Sequence, residues 1–256
     1  MTLLVCGDKT VLADPDLVLF DKDGTLIDIH HYWVSMIRLR ARRIREMLFF
    51  DRTDGEKAHA YIEHAMGIDP RSGRIRPEGP VGVKPRHFNV GVTKRALTEL
   101  EVDVTEERVE SLFAEVDVMT GDDLLPLLRV LPGVVPLLEA LDRKGVVMGV
   151  VSTDITSRAE KAMKVLGLLG YFRFVLGGDA VAQSKPAPDL VEEALRRGGF
   201  ARARTVVIGD HPVDIQMAIA ANVGASIGVL TGLSEEQAFA EFKCAVVQDL
   251  TILTVI

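Results

Sequence analysis

A continuous apolar run near the start of the chain ends abruptly at acidic residues. Leu17–Phe20 contains four consecutive apolar side chains, and Asp21, Asp23 and Gly24 follow it closely. An uninterrupted apolar run that stops at a turn signal is typical of a strand buried on both faces of a parallel sheet. Ligands of open α/β sheets bind beyond the carboxyl ends of such strands. The pattern therefore predicts that both carboxylates lie at a ligand-binding edge.

The second half of the chain alternates between strand-like and helix-like patterns. From Pro132 onward this alternation predicts βα units and a parallel sheet. The predicted strands cover 146–151, 174–176, 205–208, 225–229 and 245–247, and the predicted helices cover 132–144, 157–166 and 188–197. Polar residues follow several of these strands or begin the next helix, namely Ser152, Thr153, Lys185, Asp210 and Asp214. Because the ends of parallel strands share one edge, we expect these side chains to meet Asp21 and Asp23.

The first half is predicted to be mostly helical. Apolar residues recur with helical spacing over 33–50, and Arg40 falls in the middle of that apolar stripe. An inward-pointing Arg either lies along its apolar neighbours or pairs with an anion. Two further helices are predicted at 92–100 and 105–119, whereas 67–92 is rich in Gly, Pro and Arg and is predicted to be a loop or short hairpin. A hairpin is also expected between residues 2–5 and 10–13.

Composition and charge limit the functional classes. The net charge of −7 argues against general nucleic-acid binding. Residues 30–95 nevertheless carry eleven Arg and three Lys against seven Asp or Glu, a local charge of +7. Such a block would attract an anionic substrate, although basic surface faces are also commonplace. The function of this block stays open at the level of sequence.

The sequence shows no pattern typical of a membrane span, a signal peptide or a cysteine-based site. No apolar stretch is long enough to span a bilayer, and the N-terminus lacks a basic region followed by an apolar one. Cys6 and Cys244 lie far apart and have no CxxC spacing, which favours neither a disulfide framework nor a zinc site. The sequence therefore predicts a cytoplasmic protein that does not bind membranes. Its 256 residues fit one large domain or a domain with an insertion.

The paired carboxylates indicate a cation. Asp21 and Asp23 would resist joint ionisation at close range unless a cation or a shared proton offset their charges. Mg²⁺, which prefers oxygen ligands, would satisfy this requirement. Asp-x-Asp-Gly also fits an ordinary turn, so the interpretation depends on the polar residues at the other strand ends.

Taken together, these segments resemble the signatures of the haloacid dehalogenase-like (HAD) superfamily. Asp21-Lys22-Asp23-Gly24-Thr25 resembles the first signature, and Ser152, Lys185 and the segment from Gly209 to Asp214 match the later ones in the same order. The resemblance implies an α/β fold whose core is a Rossmann-like, doubly wound parallel sheet. It assigns residues 1–28 and 129–256 to that core, and 29–128 to an inserted, mostly helical C1-type cap.

The resemblance also implies catalytic roles. Asp21 would be the nucleophile that forms an aspartyl-phosphate, and Asp23 the general acid and base. Ser152 and Thr153 would bind the phosphoryl group, together with the catalytic Lys185. Thr153 departs from the family pattern, since relatives often carry Asn there, but this neighbour is expected to act largely through its backbone.

The implied metal ligands are Asp21, Asp23 through its backbone carbonyl, and Asp210, with Asp214 as a supporting carboxylate. The expected cofactor is Mg²⁺. Arg40 is a further candidate for binding the non-reacting end of the substrate.

The implied function is Mg²⁺-dependent hydrolysis of a small phosphorylated metabolite, as in the phosphoglycolate phosphatase branch. A β-phosphoglucomutase-like phosphotransferase and a catalytically silent binding protein on the same scaffold are the alternatives. Dehalogenases lack the second Asp and phosphonatases replace it with a small residue, so Asp23 counts against both. The physiological substrate, and whether the protein is a monomer or a homodimer, are left open.

Overall fold

The computed structural model describes residues 3–6, 9–81, 86–121 and 125–256, which divide into two units. One unit combines Met1–Asp28 with Leu128–Ile256, and the other is the contiguous segment Ile29–Leu127. The first contains the strands and the second is helical. The interpretation of these units as catalytic core and cap stays a prediction.

The strands all belong to the first unit. They are β1 (Leu3–Cys6), β2 (Lys9–Ala13), β3 (Leu17–Phe20), β4 (Val147–Val151), β5 (Phe174–Leu176), β6 (Thr205–Gly209), β7 (Ala225–Val229), β8 (Ala245–Val247) and β9 (Leu253–Val255). The helices are α1 (Ile29–Leu48), α2 (Gly55–Met66), α3 (Arg86–Glu99), α4 (Glu106–Gly121), α5 (Val134–Arg143), α6 (Thr156–Val165), α7 (Asp189–Gly198) and α8 (Pro212–Ala220). Short 3₁₀ turns lie at Leu125–Leu127, Leu169–Tyr171, Gly178–Ala180, Arg202–Arg204, Glu236–Phe239 and Leu250–Ile252.

Six parallel strands form the main sheet in the order β5-β4-β3-β6-β7-β8. β3 lies between β4 and β6, with Leu17 opposite Val147 on one side and Thr205 on the other. All four residues of β3 are fully buried, which explains their uninterrupted apolar sequence. Burying one such side chain contributes roughly 1.5–3 kcal/mol. The strand that precedes Asp21 is therefore a firmly held central strand.

Helices pack against this sheet through apolar residues of alternate strand positions. Leu17 and Leu19 of β3 share a buried cluster with Leu190 of α7 and Met217 of α8. α5 contacts β4, and α8 contacts both β6 and β7. The predicted α/β class with a Rossmann-like parallel sheet is confirmed.

A second, smaller sheet has the order β2-β1-β9. The predicted N-terminal hairpin is present, with Leu4 opposite Leu12. β9 was not predicted: the sequence analysis took 245–247 as the last strand, and this was wrong. β9 is only three residues long and pairs antiparallel with β1, so its strand character depends on a partner from the other end of the chain.

The helical unit differs from its prediction in three places. α1 begins at Ile29 rather than residue 33, α2 was not predicted, and α3 begins at Arg86 within the segment expected to be a loop. The buried face of α3 includes Asn89 and Thr93, and these polar residues hide the apolar periodicity. α1 packs against α2 and α4, α2 against α3, and α3 against α4.

Among the helices of the described segments, none has the length and apolar character required to cross a membrane.

Candidate active site

Three adjacent strands of the main sheet end at candidate site residues. β4, β3 and β6 lie side by side and run parallel, and Ser152, Asp21 and Asp210 directly follow them. The backbone N–H of Asp21 donates to the carbonyl of Ile208 over 2.8 Å, and that of Ser152 donates to Leu176 over 2.9 Å. The ladder hydrogen bonds thus continue one residue past the strands, which fixes the backbone from which these side chains project.

Lys185 joins two of the carboxylates. Its Nζ donates to Oδ1 of Asp21 over 2.5 Å and to Oδ1 of Asp214 over 2.6 Å, and the lysine side chain is almost fully buried. The lysine comes from the segment between β5 and α7, and its peptide bond to Pro186 is cis. The structure therefore brings Asp21, Lys185 and Asp214 together from three segments distant in sequence.

The start of α8 fixes Asp214. His211 precedes the helix, and its Nδ1 accepts from the backbone N–H of Val213 over 3.3 Å. Asp214 accepts in return from the backbone N–H of His211 over 3.0 Å through Oδ2. This reciprocal capping box leaves Oδ1 of Asp214 for Lys185. The carboxylate therefore both caps the helix and holds the lysine.

Asp210 is enclosed by two glycines. Gly24 has a φ of +91°, and a Cβ placed there would collide with the carboxylate of Asp210. A Cβ at Gly232 would collide with the same carboxylate. A hydrogen bond links the segments that contain these glycines: the hydroxyl of Thr231, which precedes Gly232, donates to the carbonyl of Gly24 over 2.5 Å. Sequence reasoning identified Gly24 as a turn residue but missed Thr231 and Gly232, since only the packed fold shows their proximity to Asp210.

Negative charge is in excess in this cluster. Oxygen atoms of Asp21, Asp210 and Asp214 lie within 4.8 Å of one another, and the three residues are buried. Burial raises the pKa of Asp21 to about 7, with Lys185 opposing and Asp214 adding to the rise. Burial, followed by repulsion from Asp21 and Asp214, also raises the pKa of Asp210 well above its usual value. Burial alone would lower the pKa of Lys185, but these carboxylates raise it, so the ammonium stays charged.

This donor set suits a hard divalent cation. Three clustered carboxylates face one ammonium, and oxygen ligands of this type are those that Mg²⁺ prefers. A cation would relieve the repulsion that disfavours ionisation of Asp21 and Asp210. The residues present therefore fit a divalent metal, and the identity of the metal stays a prediction.

Comparisons with known proteins identify the family of this chain. The family model for haloacid dehalogenase-like hydrolases matches residues 15–222. The chain belongs to the haloacid dehalogenase-like hydrolase family. It is 31% identical over 219 residues to "Probable phosphatase IndB" of Dickeya dadantii, an alignment that covers 85% of this chain and 82% of the relative. It is 28% identical over 213 residues to phosphoglycolate phosphatase 1 of Pseudomonas aeruginosa, with coverage of 82% and 67%.

A solved structure supports the fold assignment. A provisionally named β-phosphoglucomutase from Thermotoga maritima superposes with a TM-score of 0.67 and covers 93% of this chain and 96% of its own. Its sequence identity is 23%, so the likeness concerns the fold alone. The HAD fold accounts for the position of the carboxylate cluster at the strand ends.

The two candidate phosphate-binding residues after β4 differ in their exposure to solvent. Ser152 is buried, and its Oγ accepts from the backbone N–H of Asp154 over 3.1 Å, while Thr153 is exposed. The hydroxyl hydrogen of Ser152 is thus left for another acceptor. Phosphate binding by Ser152 and Thr153 stays a prediction.

Asp23 lies in a different electrostatic environment from Asp21. Its Oδ2 accepts from Nζ of Lys22 over 2.6 Å, and Lys22 is also 3.4 Å from Oδ2 of Asp154. Lys22 is buried. Sequence reasoning treated Lys22 as the variable position between the two signature carboxylates and missed this contact. The available signal was a Lys between two acidic residues, two positions after a fully apolar strand.

Arg40 is buried in the helical unit. Its Nη2 donates to Oδ1 of Asp117 over 3.1 Å, and its guanidinium lies 4.5 Å from the ring centre of Phe113. Burial lowers the pKa of Arg40 from its ordinary value, while Asp117 acts in the opposite direction. This pairing explains how an Arg can occupy an apolar stripe. Substrate binding by Arg40 stays a prediction.

The basic block 30–95 is largely compensated within the same unit. At least seven of its eleven arginines form ion pairs with acidic residues, namely Arg38, Arg40, Arg43, Arg45, Arg52, Arg76 and Arg86. Residues 96–127 carry ten Asp or Glu and one Arg, so the charge of +7 over 30–95 becomes −2 over 30–127. The acids that complement the block follow it in the sequence, which a window ending at residue 95 could not show.

Proposed function

We propose that this protein is a Mg²⁺-dependent phosphatase that hydrolyses a small phosphorylated metabolite through an aspartyl-phosphate on Asp21. The class of phosphoric monoester hydrolase follows from family membership and from the two relatives named as phosphatases. The observation that carries the mechanism is the buried cluster in which Lys185 holds Asp21 beside Asp210 and Asp214.

Asp21 is the proposed nucleophile. Lys185 donates to its Oδ1, so the carboxylate is fixed at the end of a buried strand and cannot rotate freely. One of its oxygens attacks phosphorus, and the bond between phosphorus and the leaving-group oxygen breaks. Attack by a carboxylate divides hydrolysis into two easier steps. Lys185 keeps its proton throughout, because two carboxylates stabilise its charge.

Asp23 is the proposed general acid and base. It donates a proton to the leaving oxygen during the first step and then accepts one from the water that attacks the aspartyl-phosphate. The second step releases inorganic phosphate and restores both carboxyl groups. Ser152 and the backbone N–H of Thr153 would donate to the phosphoryl oxygens, where negative charge accumulates.

The proposed metal ligands are Asp21, the backbone carbonyl of Asp23, and Asp210, with Asp214 in support. Bound Mg²⁺ would neutralise negative charge on the phosphoryl group and on the carboxylates. Asp210 is suited to this role, since a Cβ at either Gly24 or Gly232 would collide with its carboxylate and displace it.

A small anionic substrate is favoured by the relative named phosphoglycolate phosphatase 1. A purified sample should release inorganic phosphate from p-nitrophenyl phosphate when Mg²⁺ is present and lose that activity when a chelator is added. A panel of phosphorylated metabolites then ranks substrates by kcat/KM. Isomerisation of a phosphosugar without phosphate release would instead establish a phosphotransferase. No turnover of any phosphoester would refute the phosphatase and favour the binding protein.

A further inference from the structure

The carboxylate of Asp23 has two unequal oxygens. Oδ2 accepts a 2.6 Å hydrogen bond from the ammonium of Lys22. Oδ1 is buried, and among the described residues it has no hydrogen-bond partner. A buried carboxylate oxygen without a partner is unfavourable, because it has lost its water without gaining a hydrogen bond in exchange. Oδ1 is therefore the oxygen that would gain most from a partner supplied by a bound substrate.

Lys22 is itself held in place. Its side chain is only 4% exposed, and its Nζ lies 3.4 Å from Oδ2 of Asp154 as well as 2.6 Å from Asp23. A buried ammonium between two carboxylates has little freedom to turn away, because breaking either contact would leave a charge without its partner. The hydrogen bond to Oδ2 therefore restricts the rotation of the Asp23 carboxylate.

Asp154 links this arrangement to the second strand end. Its Oδ1 accepts from the backbone N–H of Ile155 over 2.8 Å, and its own backbone N–H donates to Oγ of Ser152 over 3.1 Å. Arg158 lies 3.4 Å from the same Oδ1. Lys22 thus connects Asp23, beside the proposed nucleophile, with a loop that is fixed by its own backbone hydrogen bonds.

From this geometry we infer that Lys22 is a positioning residue for proton transfer. It holds Oδ2 of Asp23 so that Oδ1 faces the leaving group. Oδ1 gives its proton to the leaving oxygen as the bond to phosphorus breaks, and later takes a proton from the attacking water. Lys22 neither gains nor loses a proton. This inference rests on the proposed phosphatase function and adds to it a role for a residue outside the signature carboxylates.

The inference predicts a loss that depends on the leaving group. Alkoxide leaving groups need a proton, whereas p-nitrophenolate leaves with little help. Lys22→Met retains an unbranched side chain but removes the donor. We expect kcat/KM for an alkyl phosphate to fall about tenfold or more, and that for p-nitrophenyl phosphate to fall less than about threefold. Lys144→Met, which replaces an exposed lysine of the same unit, serves as the control and should change neither value.

A double-mutant cycle tests whether Lys22 acts through Asp23. If it does, Lys22→Met combined with Asp23→Asn should be no slower on the alkyl phosphate than Asp23→Asn alone. Additive losses would show that Lys22 acts independently, for example by contacting an anionic group of the substrate, and would overturn the inference. Equal losses on both substrates in Lys22→Met would assign it a structural role and would also overturn the inference.

Two further measurements keep the test decisive. Lys22→Gln retains a neutral NH₂ donor group and replaces Lys22→Met if that variant does not fold. It should show the same leaving-group dependence with a smaller loss. The Mg²⁺ concentration for half-maximal activity should stay within about twofold of wild type, and a larger change would place Lys22 with the metal instead. If wild type releases no phosphate from any phosphoester, the proposed phosphatase function fails. If wild type is active but the Lys22→Met and Lys22→Gln variants lose the same activity on alkyl and nitrophenyl phosphates, only the positioning role of Lys22 fails.

Discussion

Two clusters of charged side chains, one in each unit, differ in the balance between positive and negative charges. In the first unit, three carboxylates from Asp21, Asp210 and Asp214 surround one ammonium from Lys185. In the helical unit, Arg40 and Arg86 face two carboxylates, Asp117 and Glu110, and both guanidiniums lie near the ring of Phe113. The cluster in the helical unit has two positive and two negative charges, whereas the cluster in the first unit has one positive charge and three carboxylates.

This difference separates a structural ion-pair network from a candidate reaction centre. Burial by itself lowers the pKa of Arg86, but Asp117 and Glu110 outweigh it and raise that pKa above its ordinary value. Burial lowers the pKa of the more deeply buried Arg40, and Asp117 opposes that shift. In the first unit, by contrast, neighbouring carboxylates add to the effect of burial, and both disfavour the charged forms of Asp21 and Asp210. Perturbed carboxylates at a strand-end edge are typical of functional sites. The charge balance therefore indicates where to expect a cation and where to expect only packing.

The largest effect is expected at Asp21. Asp21→Asn is nearly isosteric but removes the nucleophile, so turnover should fall by at least about 10³-fold. Steady-state phosphate release measures this loss, and circular dichroism checks that the variant remains folded. Activity within about tenfold of wild type would refute the assignment of Asp21 as nucleophile.

Asp210→Asn should weaken metal dependence. Removal of one charged ligand from a hard cation site should raise the Mg²⁺ concentration for half-maximal activity by about tenfold or more. A Mg²⁺ titration of activity measures the shift, and Asp142→Asn, at an exposed position, is the matched control. Full activity of the wild type in excess chelator would contradict the metal model.

Arg40→Ala tests the balanced cluster. Because the variant leaves Asp117 with Arg86 alone, unfolding free energy should fall by about 2 kcal/mol, and the melting temperature by about 5 °C. The exposed Arg42→Ala on the same helix should change neither. A substrate role for Arg40 predicts, in addition, a KM about tenfold higher for the anionic substrate and unchanged for p-nitrophenyl phosphate. A lower melting temperature with unchanged KM for every metabolite screened would remove that role.

The smallest expected effect concerns pH. The folded-state pKa of Asp21 is raised from 3.8 to about 7, so its contribution to stability is present below about pH 4 and is lost as pH rises through 7. Mg²⁺ requires the ionised carboxylate, and its stabilising effect should therefore increase over the same range. Melting curves with Mg²⁺ and with chelator should differ by about 3 °C more at pH 8 than at pH 5. A constant difference would indicate that Asp21 does not bind the metal.

The main sheet was predictable because its central strands are continuous apolar runs that end in polar residues. Leu17–Phe20 and 205–208 are of this kind, and parallel strand ends meet at one edge whatever their separation in sequence. The proximity of Asp21, Lys185, Asp210 and Asp214 followed from that rule. The catalytic and ligand roles assigned to these residues stay predictions.

The missed features depend on contacts between distant segments. Gly232 is an ordinary glycine in the sequence, and its closeness to Asp210 arises only when the segment after β7 lies beside Gly24. α3 was mispredicted because Asn89 and Thr93 occupy its buried face. The compensation of the basic block depends on Asp117, Glu110 and Glu115 of α4, which follow it in sequence. Local patterns carry no record of such pairings.

The strand order has a consequence for synthesis on the ribosome. β3 pairs with β4 and β6, yet β4 begins at Val147 and β6 at Thr205, with the whole helical unit in between. At roughly 5–20 residues per second, β3 waits on the order of 10–40 s for β6. The helical unit is contiguous and can fold during that delay. β3, the strand that precedes Asp21, is therefore a nascent apolar segment that lacks one of its two neighbouring strands until Gly209 has been made.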